Sequence, residues 1–415
     1  MLAVYLVVLL VSFATSVRGR TIFGPYLGAD FGAYYIGGKI FNTQSPARIY
    51  DAELHQQLYL AEFPDAPPDS HLQYVNAPFF ILPFTVLSRL PYSWAYLCWV
   101  GLSLALFVAG FTLIWRTLDG IPADAWFVSL LLGISFMPFL VECLAGGQTS
   151  AIGFFCLAVA ISCERRRRQI VSGLALSLSA YKPTLLLLIL PMLVVTRRYV
   201  TLLGFVAGCG LLALISWLAV GWQGCAGFIN TLLYFTKTST SAASGLRSWK
   251  YVDVNSFFRL LLGHHSNLRW ILTAASFLFG LPFLLRIWWQ GDPGKRDEQS
   301  LVWALTIVGT LVLNLYVGIY DSTLVVLSVL LTTEVLYRRA DNTQPSLPAS
   351  YKFILLLLYV VPWITQPVAR LTGVQLLTLV LALLGSYQII QFQRVVSESK
   401  QTSQLPGVDS STSSY

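Results

Sequence analysis

The chain has very little charge. Asp, Glu, Lys and Arg together make up 11% of its 415 residues, where a soluble domain carries about 25%. That shortage excludes an ordinary water-soluble enzyme. Only six cysteines are present, with no CxxC spacing, so neither a disulfide framework nor a cysteine-based metal site is expected. Acidic residues number 19 against 27 basic ones. The resulting net charge of +8 is no nucleic-acid footprint, because the arginines cluster in short loops between apolar runs. No nucleic acid partner is expected.

What is abundant is hydrocarbon. Hydrophobic residues are 56% of the chain and mean hydropathy is +0.66. Apolar runs long enough for a ~30 Å hydrocarbon core recur from end to end, which predicts a polytopic all-α membrane protein. A β-barrel would show short alternating segments instead. The opening run, residues 1–17, lacks a basic start and a small-residue cleavage site. It reads as a retained membrane helix with a cytoplasmic N-terminus.

Cations in short loops mark the cytoplasmic side. The strongest marker is Arg165–Arg168, then Arg197-Arg198, Lys295-Arg296 and Arg338-Arg339. Working outward predicts helices near 93–115, 126–143, 149–163, 170–181, 183–196, 199–221, 268–289, 301–319, 322–337, 352–366 and 372–393. With the first run there are about twelve, and residues 18–92 and 222–267 become long outer loops. Residues 77–91 are apolar but short and interrupted by Pro83, so they are expected to lie on the outer surface instead of crossing. A single domain over 1–396 is expected, followed by a disordered cytoplasmic tail over 397–415.

The halves 170–181 and 183–196 are each too short to span comfortably and meet at Lys182-Pro183. An ammonium inside the membrane is costly unless an anion is beside it. Snorkelling to the interface and facing a lipid phosphate are both open readings of Lys182. Polar residues otherwise collect in loops of one predicted face. They are Asp30, Tyr34 and Tyr35, then Tyr50-Asp51, Tyr74 and Asn76-Ala77-Pro78. Gly146-Gly147-Gln148, the segment with Asn255 and Arg259, and Asp321 follow. A turn explains the glycines and capping explains Asp321 equally well. The adjacent His264-His265 have no third ligand nearby in sequence and read as an interfacial pair.

Taken in order, these short motifs resemble the GT-C membrane glycosyltransferases, and most closely glycosyltransferase family 87, the polyprenyl-phosphate-mannose-dependent mannosyltransferases. The resemblance implies a GT-C helical bundle with juxtamembrane helices in the first outer loop. It implies inverting transfer of a hexose, mannose in the family, from a polyprenyl-phosphate donor to a glycolipid, glycan or protein acceptor at the outer face of a bacterial cell membrane. Asp30 is the implied catalytic base. Lys182 and Arg259 are the implied donor-phosphate ligands. Tyr34, Gln148, Asn255 and Asp321 are implied to hold sugar or acceptor. The family has an aromatic residue or histidine before the last aspartate, here Tyr320. No cofactor or metal is expected. A secondary transporter or lipid flippase is the alternative, against which stands the lack of paired interrupted helices in two similar halves. A non-catalytic membrane subunit is a third reading.

Overall fold

The computed structural model describes residues 2–404, apart from 17–19, 22–25, 67–72, 241–246, 264–266, 293 and 341–345. His264 and His265 therefore lie outside the described residues. Helices account for nearly all of the rest, and among the described residues the only extended pairings are isolated bridges, Arg20 with Tyr26 and Tyr251 with Gly318. In order the helices are α1 (Leu2–Ala14), α2 (Phe31–Thr43), α3 (Ala52–Glu62), α4 (Leu82–Leu87), α5 (Tyr92–Trp115), α6 (Ala125–Ile134), α7 (Ser150–Arg165) and α8 (Gln169–Leu178). They continue with α9 (Ile189–Val195), α10 (Tyr199–Thr240), α11 (Val254–Leu262), α12 (Asn267–Gln290), α13 (Arg296–Val312), α14 (Val325–Arg338), α15 (Ala349–Thr372) and α16 (Leu376–Gln404).

This is a polytopic transmembrane helical bundle. Six helical segments among the described residues are long and apolar enough to cross a membrane: α5, α10 as far as Tyr234, α12, Ile319–Arg338, α15 and α16. A seventh forms if α6 and the wide helical turn Pro138–Ala145 count as one span bent by 55°. The expected count of about twelve is not confirmed by length and composition, because several apolar runs form shorter helices. Helices α7 and α13 have 16 and 17 residues, about 25 Å each. The bend after α6 falls where Pro138 withholds a backbone donor.

Two loop boundaries also differ from expectation. The stretch α10 is two helices joined across a kink at Gly221 (φ 67, ψ −178), so a helix ends there as expected, but a second one follows at once and reaches Thr240, and much of the expected loop 222–267 is helical. Helix α16 runs through Gln404, so residues 397–404 are helix and not the start of a tail. Residues 77–91 fold as a helical turn Pro78–Ile81 leading into α4, together about 15 Å of helix, half the hydrocarbon thickness.

Polar and small residues lock the bundle where apolar contact cannot choose a register. Helices α8 and α10 run side by side in the same direction through glycines. A Cβ on Gly173 would sit 2.0 Å from the Thr201 carbonyl oxygen, and one on Gly204 2.4 Å from that of Ile170. Almost every side chain of α13 from Glu298 onward is buried, as expected of a helix enclosed on all sides. Trp288 donates to Thr306 at 2.9 Å, tying α12 to α13. Gln388 donates to Ser328 and Thr332, tying α16 to α14.

At one end of the bundle a fully buried carboxylate gathers four chain segments. Glu334 on α14 accepts from both Arg165 nitrogens at 3.2 and 2.6 Å, from Arg296 Nε at 2.9 Å and from Ser300 at 3.1 Å. The backbone N–H of Asp119 adds another bond at 3.1 Å. Removing one partner of such a pair strands a buried charge. Glu334→Ala should therefore lower stability by about 3–5 kcal/mol, seen as a large drop in the melting temperature of detergent-solubilised protein. A drop no greater than that of a surface substitution would contradict this.

Candidate active site

The opposite end of the bundle begins with a helix start that is not capped. Asp30 precedes α2 in the capping position, yet its side chain makes no cap hydrogen bond. Its carboxylate instead accepts from Gln148 Nε2 at 2.6 Å. The backbone brings them together, since the Asp30 N–H donates to the Gly146 carbonyl at 3.1 Å. Gly147 must be glycine here. Its φ is +78, and a Cβ would sit 2.6 Å from Phe31 Cβ. Trp99 fixes the same turn by donating to the Gly147 carbonyl at 3.2 Å. The Gly-Gly-Gln sequence is thus a turn and a side-chain ligand at once.

Lys182 forms the second half of the cluster. The chain breaks between α8 and α9 at Lys182-Pro183, with Lys182 in a non-helical conformation (φ −137, ψ 85). Its ammonium forms an ion pair with Asp321 and lies 4.2 Å from the centre of the Tyr320 ring. Asp321 is only 1% exposed and Lys182 15%. Asp321 therefore serves as a buried counter-ion, and the capping expected of it is absent, for the turn Ile319–Leu324 has no side-chain cap. Lys182 does not snorkel to water.

These two halves face each other. Asp30 and Lys182 interact electrostatically. Tyr34, stacked on Phe84 at 4.9 Å, lies beside Thr149 and within reach of both Asp30 and Asp321. Five of the seven residues picked from sequence, Asp30, Tyr34, Gln148, Lys182 and Asp321, are therefore one cluster.

Asn255 and Arg259 approach from α11. Asp253 positions that helix: its carboxylate accepts from the N–H groups of Ser256 and Val317, both at 2.9 Å. Burial pushes the Asp253 carboxyl up to about 6 despite those two donors. The Val252 N–H donates to the Val317 carbonyl at 2.9 Å. Asn255 donates to the Leu315 carbonyl at 3.0 Å, and its Oδ1 is buried with no hydrogen-bond partner. Arg259 interacts with Tyr251 and Tyr316, whose hydroxyls contact each other. Both tyrosines also feel Asp30. The α11 pair thus adjoins the cluster through two tyrosines.

Sequence reasoning missed the Lys182–Asp321 pair, although two opposite charges placed in apolar surroundings were a usable signal. It also missed Asp253, whose position before Val254-Asn255-Ser256 is a readable cap. Within the expected outer loop 222–267, the polar residues 236–240 are helical; 241–246 lie outside the described residues.

Residues 74–317 match Glycosyltransferase family 87, well over half of the 415 residues. The chain belongs to that family and is an integral membrane glycosyltransferase. No curated protein and no solved structure matches it.

The ion pair yields a prediction that is independent of catalysis. Lys182→Met leaves Asp321 buried and alone, at a cost of about 3–5 kcal/mol. Lys182→Met combined with Asp321→Leu should recover most of that loss in thermal unfolding. A loss in the double variant equal to the sum of the two single-variant losses would mean the two residues do not stabilise each other.

Proposed function

We propose, from the premise of family 87 membership, that the chain transfers a hexose, namely mannose, from a polyprenyl-phosphate donor to an acceptor hydroxyl at the outer face of the membrane. The observation that carries this reading is the Asp30 carboxylate, freed from capping and held by Gln148 at 2.6 Å. A carboxylate whose only role is to start a helix would cap it.

In the proposed reaction the acceptor O–H gives its proton to Asp30 as its oxygen attacks the anomeric carbon. The bond from that carbon to the lipid phosphate breaks, and its electron pair leaves with the phosphate oxygen. One displacement inverts the sugar and requires no protein nucleophile. The phosphate departs with one more negative charge than it had in the donor. Fixed cations stabilise that developing charge, the role assigned to Lys182 and Arg259, with Asp321 holding the ammonium in place. Tyr34, Gln148 and Asn255 supply hydroxyl and amide groups to the sugar or acceptor. The unpartnered Asn255 Oδ1 suits a sugar hydroxyl donor. Glycolipid, glycan and protein acceptors all offer the hydroxyl this chemistry needs, and a bacterial cell membrane supplies the polyprenyl carrier.

Asp30→Asn keeps the shape and removes the proton acceptor. Turnover in membrane vesicles, read as labelled sugar passed from lipid carrier to product, should fall about 10²–10⁴-fold with normal expression. Asp51→Asn serves as the control, since Asp51 caps α3 through the Leu54 N–H and pairs with Arg48. Near-normal transfer by Asp30→Asn would remove it as base. Movement of solute without any covalent product would favour the transporter reading.

A further inference from the structure

At the end of the bundle away from Asp30, two turns close around a cleft of about 470 Å³ lined by Glu164, Arg167, Arg197, Arg198 and the starts of α8 and α10. Helix α7 descends from the Gln148 turn to this cleft, and α8 climbs back to Lys182. Two features of the cleft are electrostatically wrong for an empty site. Helices α8 and α10 are parallel neighbours, so their positive ends lie side by side. Moreover, the residues before and at those ends are arginines, where an acidic or hydroxyl cap is favourable. Arg168 precedes α8 and makes no side-chain cap.

The turns themselves are unusual. Arg167 and Arg197 have φ of +59 and +57, the left-handed region that favours glycine. The two turns have the same form. Arg168 N–H donates to the Cys163 carbonyl and Arg198 N–H to the Leu193 carbonyl, each at 2.8 Å. Both turns thus carry a guanidinium where glycine would fit with less strain. Arg198 is 7% exposed and its Nε is buried without a hydrogen-bond partner. Glu164 offsets one charge, through a 2.6 Å contact with Arg198, and its other oxygen accepts from Trp303 at 2.8 Å. Three arginines and one glutamate leave the cleft two charges positive. Beside it Tyr199 is 59% and Trp289 73% exposed, as aromatic residues are at the headgroup level of a bilayer. Arg197 lies 5.8 Å from the Trp289 ring.

We infer that this cleft binds the phosphate of an anionic membrane lipid. The phosphate joins the unpaired N–H groups of two helix starts to guanidiniums from both turns. Those turns are the feet of the short α8–α9 pair, whose tip carries Lys182. The lipid therefore clamps both feet of the element that brings the ammonium to the candidate active site. This inference stands on the cleft alone and does not depend on the reaction proposed above.

Because both turns have positive φ, glycine removes the guanidiniums without straining the backbone. Full-length protein in neutral detergent is titrated with phosphatidylglycerol, with phosphatidylcholine and with inorganic phosphate, followed by melting temperature and by retained lipid in native mass spectrometry. Phosphatidylglycerol should raise the melting temperature and remain bound, and phosphatidylcholine should do neither. Arg167→Gly combined with Arg197→Gly should weaken phosphatidylglycerol binding on the order of 10–30-fold, while Arg197→Lys should keep most of it. Equal binding of the two lipids, or unchanged phosphatidylglycerol binding in a folded double-glycine variant, overturns the site. Stabilisation by inorganic phosphate equal to that by phosphatidylglycerol overturns the lipid assignment in favour of a soluble phosphate compound.

Discussion

A buried ammonium has to find an anion, and much of this bundle is arranged around that need. Lys182 sits at a break between two half-length helices, deep enough to be only 15% exposed. Water cannot solvate it there, and an isolated charge would be prohibitive. Asp321 answers the charge, and the Tyr320 ring lies 4.2 Å from it. The break also exposes carbonyls that no helix satisfies. Asn76 from the first long loop donates to the Tyr181 carbonyl at 3.1 Å, and Asn314 donates to that of Thr184 at 2.9 Å. Meeting the needs of one break therefore draws three distant segments to one place.

The same arrangement creates the site. Asn76 is itself held by Tyr50, which donates to its carbonyl at 2.6 Å, so the first loop is fastened where α2 starts beside the Gly-Gly-Gln turn. The segment around Asn314 carries Leu315, Tyr316 and Val317, onto which Asn255, Tyr251 and Asp253 fasten α11. The Asp30 carboxylate, the Lys182 ammonium and the α11 segment are thus brought together by backbone satisfaction. The far end is held together by a different interaction. There Glu334 collects Arg165 and Arg296, and the adjoining arginine cleft sits under the α8–α9 feet.

The class of fold was legible because hydrocarbon solvation permits few solutions, and apolar runs report it directly. Asp30 and Gln148 were legible as polar residues in otherwise apolar surroundings, and the Lys182-Pro183 break as a charge beside a helix breaker. Pairings across the chain were not. Nothing local links Lys182 to Asp321, or Asn76 to Tyr181, because these partners are chosen by packing. The short halves α8 and α9 were legible from their lengths, but hydropathy does not mark where an apolar run bends, as at Pro138. Gly221 ends one helix as expected, and what escaped is the second helix that follows it directly. The α16 extension past residue 397 escaped because polar composition there resembles a tail, whereas the helix simply propagates from its membrane portion.

We propose that one carboxylate drives a single displacement at the anomeric carbon. Its most direct test is the stereochemistry of transfer. Donor lipid carrying a sugar of defined anomeric configuration is incubated with membranes containing the chain, and the new linkage is assigned by NMR of the isolated product. A single displacement gives the opposite anomeric configuration in the product. Retention of the donor's configuration would require a protein nucleophile or a second displacement, and would contradict it.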